Sequence, residues 1–276
     1  MKFVDLFSGM GSFHYSFKKL GYQCVAASDI NKTTRKTYIT NYGIEPSGDI
    51  VKIKPQDIPP HNILCAGFPC QPFSQCGRGM GFEDQRGTMF HQVMKFVKHH
   101  EPDYVILENV KALLNHDNGN TFKIIKTELE KQGYHVIHKI LVCSDYGIPQ
   151  MRKRLFIIAH RGNLSDSFFA GLKKYEKKVT LSKFFDRKFQ KETAYTLRCG
   201  GRSSPINDRH NWDGYIVDGK EYRLSIEDGL KLQGFESFVL EGTETQKWKQ
   251  LGNTIPTIFT DIIGKEIAAA VAKGSI

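Results

Sequence analysis

A short apolar run that meets a rigid turn carrying a cysteine constrains this chain more than any other feature. Leu64, Cys65 and Ala66 are typical of the end of a buried strand, and the turn that follows is rich in glycine and proline. Open α/β sheets bind their ligands at the carboxyl ends of their strands. Cys70 stands inside this turn, between prolines that restrict the backbone around it. We therefore expect Cys70 to act on a substrate, although a cysteine in isolation is more often an inert core residue.

A strand, a glycine turn and a helix form a second pattern at the start of the chain. Residues 2–7 have the composition of a strand, and residues 13–17 that of a helix. Gly9 and Gly11 lie between them, in a turn of the kind whose backbone amides approach a ligand closely. The next strand-like run ends at Asp29. An acidic residue about 20 positions beyond such a turn is placed to accept hydrogen bonds from a ribose.

Later strand-like segments also bring polar groups to their ends. Residues 104–107 form an apolar run that leads directly into Glu108. An arginine-rich segment, with Arg152 and Arg154, comes directly before the apolar run 155–159. Several strands that each deliver one polar group are the layout of an active site built on a parallel sheet. The sequence therefore predicts an α/β fold with its site at one edge of that sheet.

The alternation of strands and helical patterns stops near residue 160. Helical patterns occupy residues 89–99 and 121–132, whereas a basic stretch and a glycine- and arginine-rich stretch follow later. Residues 251–271 return to a strand-like piece and a helix. A chain of 276 residues can bury one substantial core and a small second module. We expect a large domain from residues 1–160, a small inserted domain from 161–250, and a segment from 251–276 that completes the large domain.

Seven short motifs occur in an order that is specific to one enzyme family. They are D-L-F-S-G-M-G, G-D-I, G-F-P-C-Q-P-F-S, G-F-E-D-Q-R-G, L-E-N-V, Q-M-R-K-R and L-G-N-T. The chain resembles the bacterial DNA cytosine-5 methyltransferases over nearly its whole length. This resemblance implies a Rossmann-like S-adenosylmethionine-dependent methyltransferase fold, in which the small inserted domain recognises the DNA target.

The resemblance implies transfer of a methyl group to carbon 5 of a flipped-out cytosine in a specific short duplex sequence. Cys70 would add to carbon 6 of the ring, because carbon 5 is otherwise a poor nucleophile. Glu108 would hydrogen-bond N3 and the exocyclic amine, which selects cytosine over thymine. Arg154 would contact O2 and orient Glu108, with Arg152 close by. Attack on a stacked base is impossible, so the cytosine must leave the duplex.

The resemblance also implies a site for S-adenosylmethionine, whose product is S-adenosylhomocysteine. The glycine turn would line the methionine end, Asp29 would bind the ribose and Asp49 the adenine amine. Asp29 stands where the family usually has glutamate, and Ile30 where it often has a bulky aromatic residue, so we expect somewhat weaker cofactor binding. The complete predicted set is Phe7, Gly9, Met10, Gly11, Asp29, Ile30, Asp49, Ile50, Phe68, Pro69, Asn253 and Thr254.

The charge of the chain supports a nucleic-acid partner. A net charge of +10 and a pI near 9.2 favour a polyanion, here double-stranded DNA. Residues 75–87 are glycine-rich and follow Cys70, so we expect a mobile loop that closes over the extruded base. Arginines of the insert could read guanine in the major groove or contact phosphate, which carries no sequence information. The predicted DNA-binding residues are Gln75, Arg78, Arg86, Arg198, Arg202 and Arg209.

The cysteines and the hydropathy pattern exclude other classes. The six cysteines include no C-x-x-C pair and no zinc-like spacing with histidine, so we expect reduced thiols, no metal and no disulfide. The sequence has neither a signal-peptide pattern nor an apolar run of transmembrane length. We expect a monomer in the bacterial cytosol or nucleoid. The resemblance is compatible with a restriction-modification system, whose cognate endonuclease would act on the same site.

Three alternative functions have different signatures. A branch of the family methylates transfer RNA, but it typically has P-P-C where this chain has Phe68-Pro69-Cys70, and its C-F-T signature is absent here. A catalytically inactive DNA-binding module would lack Cys70, Glu108 or the glycine turn, and all are present. An amino-group methyltransferase would carry a D/N-P-P-Y/F/W tetrad, which the sequence does not contain.

Overall fold

A mixed β-sheet flanked by helices forms the centre of the protein. The computed structural model describes residues 1–69, 89–162, 164 and 168–274. Within these residues the central sheet has the strand order β2-β1-β3-β4-β6-β5. Its strands are β1 (Lys2–Leu6), β2 (Gln23–Ser28), β3 (Ile63–Ala66), β4 (Tyr104–Val110), β5 (His135–Val142) and β6 (Lys153–His160). Four residues predicted to act in the site, Cys70, Gln75, Arg78 and Arg86, lie outside the described residues, as does the loop expected at 75–87.

The sheet is parallel in its first half and changes direction at β6. β1 pairs in parallel with β2 and β3, and β3 pairs in parallel with β4. β6 runs antiparallel to both β4 and β5. The expected α/β class is confirmed, and the sheet is parallel from β2 to β4 but antiparallel at β6. This reversal places the first residues of β6 beside the carboxyl end of β4, with Arg154 opposite Val110.

Apolar side chains cover both faces of the sheet. All residues of β3 are buried, as are all but the last of β4. Strands buried on both faces read as continuous apolar runs, which explains the sequence pattern of these two strands. On β1, Phe3 and Val4 point to opposite faces and join two separate hydrophobic clusters. The strand ends are therefore fixed by a core on each side.

Helices pack on both sides of this sheet, and further helices follow in the later part of the chain. Those of the first part are α1 (Ser12–Lys19), α2 (Lys32–Tyr42), α3 (Met89–His100) and α4 (Asn120–Glu130). The helical patterns at residues 89–99 and 121–132 are thus confirmed as α3 and α4. Short 3₁₀ segments are Ile50–Lys52, Pro55–Asp57, Lys111–Gly119 and Cys143–Tyr146. No helix among the described residues is both long enough and apolar enough to span a membrane.

The later part of the chain contains a small hairpin and five further helices within the described residues. In chain order these are α5 (Phe168–Gly171), α6 (Leu181–Phe185), β7 (Gly214–Val217), β8 (Lys220–Arg223), α7 (Ile226–Leu232), α8 (Glu244–Asn253) and α9 (Thr257–Ala272). β7 and β8 pair with each other in a separate two-stranded sheet. The fully buried Trp212 anchors the segment before this hairpin, and its Nε1 donates to the Gly200 carbonyl at 2.9 Å.

The C-terminal segment packs on the first part of the chain as helix rather than strand. The strand-like piece expected from residue 251 is the last turn of α8, which begins with a capping box formed by Thr243 and Gln246. α9 then packs on α1 so closely that a Cβ at Gly264 would lie 2.8 Å from the Phe17 ring. Ser16 Oγ and Thr260 Oγ1 share a buried hydrogen bond of 2.6 Å. The two ends of the chain therefore form one layer of the fold.

Candidate active site

The turn after β1 holds a strained backbone over the end of the sheet. Phe7 has a positive φ of 54°, an uncommon conformation for a bulky residue and one that is often associated with functional sites. Gly9 and Gly11 also lie in the left-handed region. At Gly11 a Cβ would meet the Tyr42 and Tyr38 rings at 2.5 and 2.7 Å, so only glycine fits there. The G-x-G spacing seen in the sequence thus has a direct steric cause.

Asp29 is fixed in position by the backbone around it. Its Oδ2 accepts from the Gly9 amide at 3.0 Å, and its Oδ1 accepts from the Asn31 amide at 2.8 Å. Burial raises the pKa of Asp29, and these two amides act in the opposite direction. The next residue, Ile30, is 74% exposed and offers an apolar surface beside the carboxylate. An acidic group next to an exposed apolar side chain is suited to a ribose and the base attached to it.

Two neighbouring cavities lead from Asp29 to Glu108. The first is lined by Gly9, Asp29 and Asn253, among others, and the second by Gly9, Asn253 and Glu108, among others. Both also share Thr254 in their lining. The cavities therefore form one cleft that runs along the carboxyl ends of the parallel strands. Asp49, the proposed adenine partner, caps the 3₁₀ segment that follows it by accepting from the Val51 amide at 3.0 Å.

Buried polar atoms in this cleft have no partner within the described part of the protein. Asp5 is 1% exposed, and its Oδ2 has no hydrogen-bond partner among the described residues; the same is true of Ser8 Oγ. Burial, with the charge of Asp29 as a smaller cause, raises the pKa of Asp5 well above its usual value. A buried carboxyl group and hydroxyl group that open into a cavity fit a ligand with a cationic, hydrogen-bonding end.

Glu108 and Arg154 form an ion pair at the other end of the cleft. The carboxylate Oε1 lies 2.8 Å from Arg154 Nε, across the β4–β6 pairing. Glu108 is 8% exposed, and burial raises the pKa of its carboxyl group, against the opposing effects of Arg154 and Arg152. A Cβ at Gly67 would lie 3.3 Å from Glu108 Oε2, so this glycine leaves space beside the carboxylate. The pair can present a carboxyl group and a cationic hydrogen-bond donor to one small ligand.

The end of β4 is also connected to the turn that leads to Cys70. Asn109 Nδ2 donates to the Phe68 carbonyl at 2.9 Å, and both residues are buried. Phe68 and Pro69 are the last described residues before Cys70. The carboxyl ends of β3 and β4 are therefore held together, as expected for neighbouring parallel strands that share a site.

Arg152 does not line the cleft. We expected Arg152 near the reacting base, but the structure buries it completely. Its guanidinium donates to the carbonyls of Leu197, Gly252 and Thr254 at 2.7–3.0 Å. Burial and the neighbouring Arg154 lower the pKa of Arg152 to about 9, so it remains cationic at neutral pH. Arg152 can affect the site through the segments that it holds and not by contact with a substrate.

The three arginines predicted to read DNA have different surroundings. Arg198 and Arg209 are exposed, and Arg209 contacts the neighbouring His210. Arg202 is half-buried: its Nε lies 3.3 Å from the fully buried Asp213 carboxylate, and its guanidinium lies 4.5 Å from the centre of the Trp248 ring. Arg202 is thus engaged in internal contacts with Asp213 and Trp248. Arg198 and Arg209 remain the better placed of the three to contact DNA.

Some residues of the cleft were not predicted. Asp5 belongs to the D-L-F-S-G-M-G motif, and a carboxylate inside an apolar strand was a signal that could have identified it. Asn31, Thr33 and Lys249 line the cavity near Asp29, but nothing in their local sequence distinguishes them from ordinary polar residues. Among the described residues, no group of three or more histidine, cysteine or acidic side chains is arranged to hold a metal ion.

Comparison with known proteins relates this site to one family. A family model described as C-5 cytosine-specific DNA methylase matches residues 1–198. The type II methyltransferase M.HhaI of Haemophilus parahaemolyticus is 32% identical over 98% of this chain and 95% of that protein. M.DsaV of Dactylococcopsis salina is 34% identical over 98% of this chain and 87% of that protein. M.MspI of Moraxella sp is 36% identical over 98% of this chain and 71% of that protein.

Solved structures agree with the fold. The S. pombe Dnmt2 methyltransferase superposes with a TM-score of 0.75 at 19% identity, covering 98% of this chain and 99% of that one. The Entamoeba histolytica methyltransferase EhMeth has a TM-score of 0.71 at 16% identity and covers 98% of each chain. At such identities the likeness concerns the fold, which is that of S-adenosylmethionine-dependent methyltransferases.

Proposed function

The chain belongs to the C-5 cytosine-specific DNA methylase family, and we propose that it methylates a cytosine flipped out of a specific short sequence in duplex DNA, through a covalent adduct with Cys70. It is a cytosine-C5 DNA methyltransferase, and its methyl donor is S-adenosylmethionine. The observation that carries the finer proposal is the cleft itself. One end holds a fixed carboxylate suited to a ribose, and the other a buried Glu108–Arg154 pair suited to a cytosine edge.

The residues of the cleft fit the methyl donor. Asp29 would accept hydrogen bonds from the ribose, and Ile30 would cover one face of the adenine. Asp5 and Ser8 would bind the methionine ammonium group, which would satisfy the two buried atoms that otherwise have no partner among the described residues. When bound, S-adenosylmethionine supplies an electrophilic methyl group on sulfonium. The shared lining of the two cavities would bring that methyl group toward Glu108 and the turn that carries Cys70.

Glu108 and Arg154 would recognise the target base and assist the reaction. The thiolate of Cys70 adds to carbon 6 and pushes electron density to N3 and carbon 5, so that carbon 5 can attack the methyl group. Glu108 would donate a proton or hydrogen bond to N3 as this density develops; burial raises the pKa of its carboxyl group, while Arg154 and Arg152 act in the opposite direction. A base from solvent would then take the carbon 5 proton, and the electron pair of that C–H bond would re-form the C5–C6 double bond and expel the Cys70 thiolate. Arg154 would bind O2 and hold Glu108 in place.

The burial of Glu108 supports the proposal of base flipping. Glu108 is 8% exposed and lines the cleft, so we propose that only a base that has left the duplex can bring its edge to this carboxyl group. A flipped cytosine could enter, and unstacking costs a few kcal/mol that contacts in the pocket must offset. We further propose that the enzyme acts as a monomer in the cytosol. Its relatives are type II methyltransferases, so a cognate restriction endonuclease is the protein partner we expect.

Bisulfite sequencing of plasmid DNA from cells that express the protein tests the function and identifies the target. The proposal predicts fully protected cytosines at one recurrent short sequence. The purified protein should then methylate a duplex that contains this sequence, and it should not methylate transfer RNA. Methylation of transfer RNA with no change in duplex DNA would contradict the proposal and support the alternative substrate.

Binding of S-adenosylhomocysteine should release a proton from Asp5. Burial raises the pKa of this carboxyl group well above its usual value in the free protein, so it holds its proton more strongly there than an exposed aspartate does. The ligand's ammonium group would favour the ionised carboxylate and lower this pKa, which expels the proton and makes binding tighter as pH rises. Calorimetry near neutral pH in two buffers with different ionisation enthalpies measures the release. The Asp5→Asn variant should bind S-adenosylhomocysteine without releasing this proton. Equal proton release from the wild type and the variant would refute the assignment.

Arg198 and Arg209 should contribute to DNA binding in a way that Arg202 does not. If either exposed arginine reads a guanine, its replacement with alanine should cost about 1–3 kcal/mol and relax the preference at one base pair. If it contacts phosphate, all sequences should bind more weakly and the salt slope should fall by about one unit. Arg202→Ala is the matched control, because it removes an internal contact to Asp213 and should lower stability.

Duplexes with the target site and with single mismatches, measured at two salt concentrations, separate these outcomes. Unchanged specificity and salt dependence in both the Arg198 and the Arg209 variants would show that other residues of the insert recognise the target.

A further inference from the structure

Two buried side chains hold Leu197, the first residue of a stretch (residues 197–199) that we call the recognition segment because it contains Arg198. Gln150 and Arg152, both completely buried, come from the segment before β6. Gln150 Oε1 accepts from the Leu197 amide at 3.2 Å, and Arg152 Nη1 donates to the Leu197 carbonyl at 3.0 Å. Both backbone groups of Leu197 are thus held by side chains. The next residue is Arg198, a candidate DNA contact, so its backbone position depends on these hydrogen bonds.

The guanidinium of Arg152 also holds residues 252–254, which we call the cofactor segment. Arg152 Nη2 donates to the Gly252 carbonyl at 2.8 Å and to the Thr254 carbonyl at 2.7 Å. Thr254 lines both cavities, as does Asn253 between these two positions. One buried cation therefore supports the recognition segment with one nitrogen and the cofactor segment with the other.

The two segments also contact each other directly. Gly252 lies against the Arg198–Cys199 peptide, where a Cβ would lie 2.5 Å from the Cys199 amide nitrogen. The Cys199 thiol donates to Asn253 Oδ1 at 2.8 Å. Asn253 is a predicted cofactor contact, and Cys199 is an exposed residue next to Arg198. A displacement of either segment must move the other, because no side chain separates their backbones at Gly252.

We propose that Arg152 is a positioning residue that couples the target-recognition insert to the cofactor cleft, with Cys199 and Gly252 as the direct contact between them. The inference rests on the proposed function, since it assigns one segment to the DNA target and the other to the methyl donor. A ligand that orders Asn253 and Thr254 then favours the position of Arg198 that binds DNA. Thermodynamic linkage requires the reverse effect to be of equal size.

The coupling is measured as the ratio of duplex dissociation constants without and with saturating S-adenosylhomocysteine. The duplex contains the site found by bisulfite sequencing. In the wild type we expect the cofactor product to tighten binding by about 5- to 150-fold. Cys199→Ala removes an exposed contact without disturbing the core, and it should reduce this ratio by about twofold to tenfold. Cys199→Ser retains a hydrogen-bond donor toward Asn253 and should restore most of the wild-type ratio.

Arg152→Lys provides a second variant, because one ammonium group cannot reproduce the forked hydrogen bonds to three carbonyls. It should reduce the ratio further and raise the KM for both substrates more than it lowers kcat. A wild-type ratio of one, or a ratio that stays unchanged in both Cys199→Ala and a folded Arg152→Lys protein, would overturn the proposal. Failure of the proposed function is distinct, since the wild type would then bind or methylate no duplex.

Discussion

Replacing Glu108 with alanine is expected to slow methyl transfer by about 10²–10⁴-fold, the usual contribution of a positioned acid or base. The variant loses the proton donor to N3 and leaves Arg154 without the carboxylate that lies 2.8 Å from its Nε. Because Glu108 is buried, we expect its replacement to change the dissociation constant of the duplex only slightly. Single-turnover transfer of a labelled methyl group to the target duplex measures the rate without interference from product release.

Two comparisons separate this chemical role from a loss of stability. Glu108→Gln keeps the size and the hydrogen-bonding capacity of the side chain but cannot transfer a proton, so it should retain part of the lost rate. Glu101→Ala removes a carboxylate that pairs with Arg161 at 3.0 Å on the surface, and it should leave the rate unchanged. A Glu108→Ala protein that is folded and transfers methyl groups within about tenfold of the wild-type rate would contradict the assigned role.

Replacing Cys70 with alanine is expected to abolish methyl transfer while duplex binding survives. Without addition of the thiolate to carbon 6, carbon 5 is too poor a nucleophile to attack the methyl group. Removal of a covalent nucleophile from other enzymes has cost up to about 10⁶-fold in rate. The side chain contributes little to the electrostatic attraction of DNA, so the dissociation constant of the duplex should change by less than about threefold. Measurable turnover by a purified variant would refute the covalent mechanism.

The parts of this site that were predicted from the sequence depend on local patterns. A buried strand that ends in a polar residue is visible as an apolar run followed by Glu108, and the same reasoning identified Asp29. The G-x-G spacing in the sequence predicted the glycine turn. The structure supplies the reason, because Gly11 has a positive φ and lies against two tyrosine rings. Motif order then assigned roles that the residue types alone left open.

The parts that were not predicted depend on contacts between distant segments. The reversal at β6 is determined by its pairing with β4 and β5, which no local pattern reports. Arg152 lies in an arginine-rich motif, which predicted a position beside the reacting base. Its three carbonyl acceptors, however, belong to residues 45 to 102 positions away in the sequence. Residues 251–253 are helical because the capping box at Thr243 starts α8 upstream of them. In the first two cases tertiary structure overrides a local preference, whereas the capping box is a local signal that the sequence analysis missed.

A duplex with 5-fluorocytosine at the target position tests the central claim most directly. Fluorine at carbon 5 cannot leave as a proton does, so the ring remains bonded to the enzyme after methyl transfer. With S-adenosylmethionine present, the wild type should form a complex that survives denaturing electrophoresis, and mass spectrometry should locate the adduct at Cys70. The Cys70→Ala protein should form none. Absence of the complex from an active wild-type enzyme, or its formation by the Cys70→Ala protein, would contradict the account.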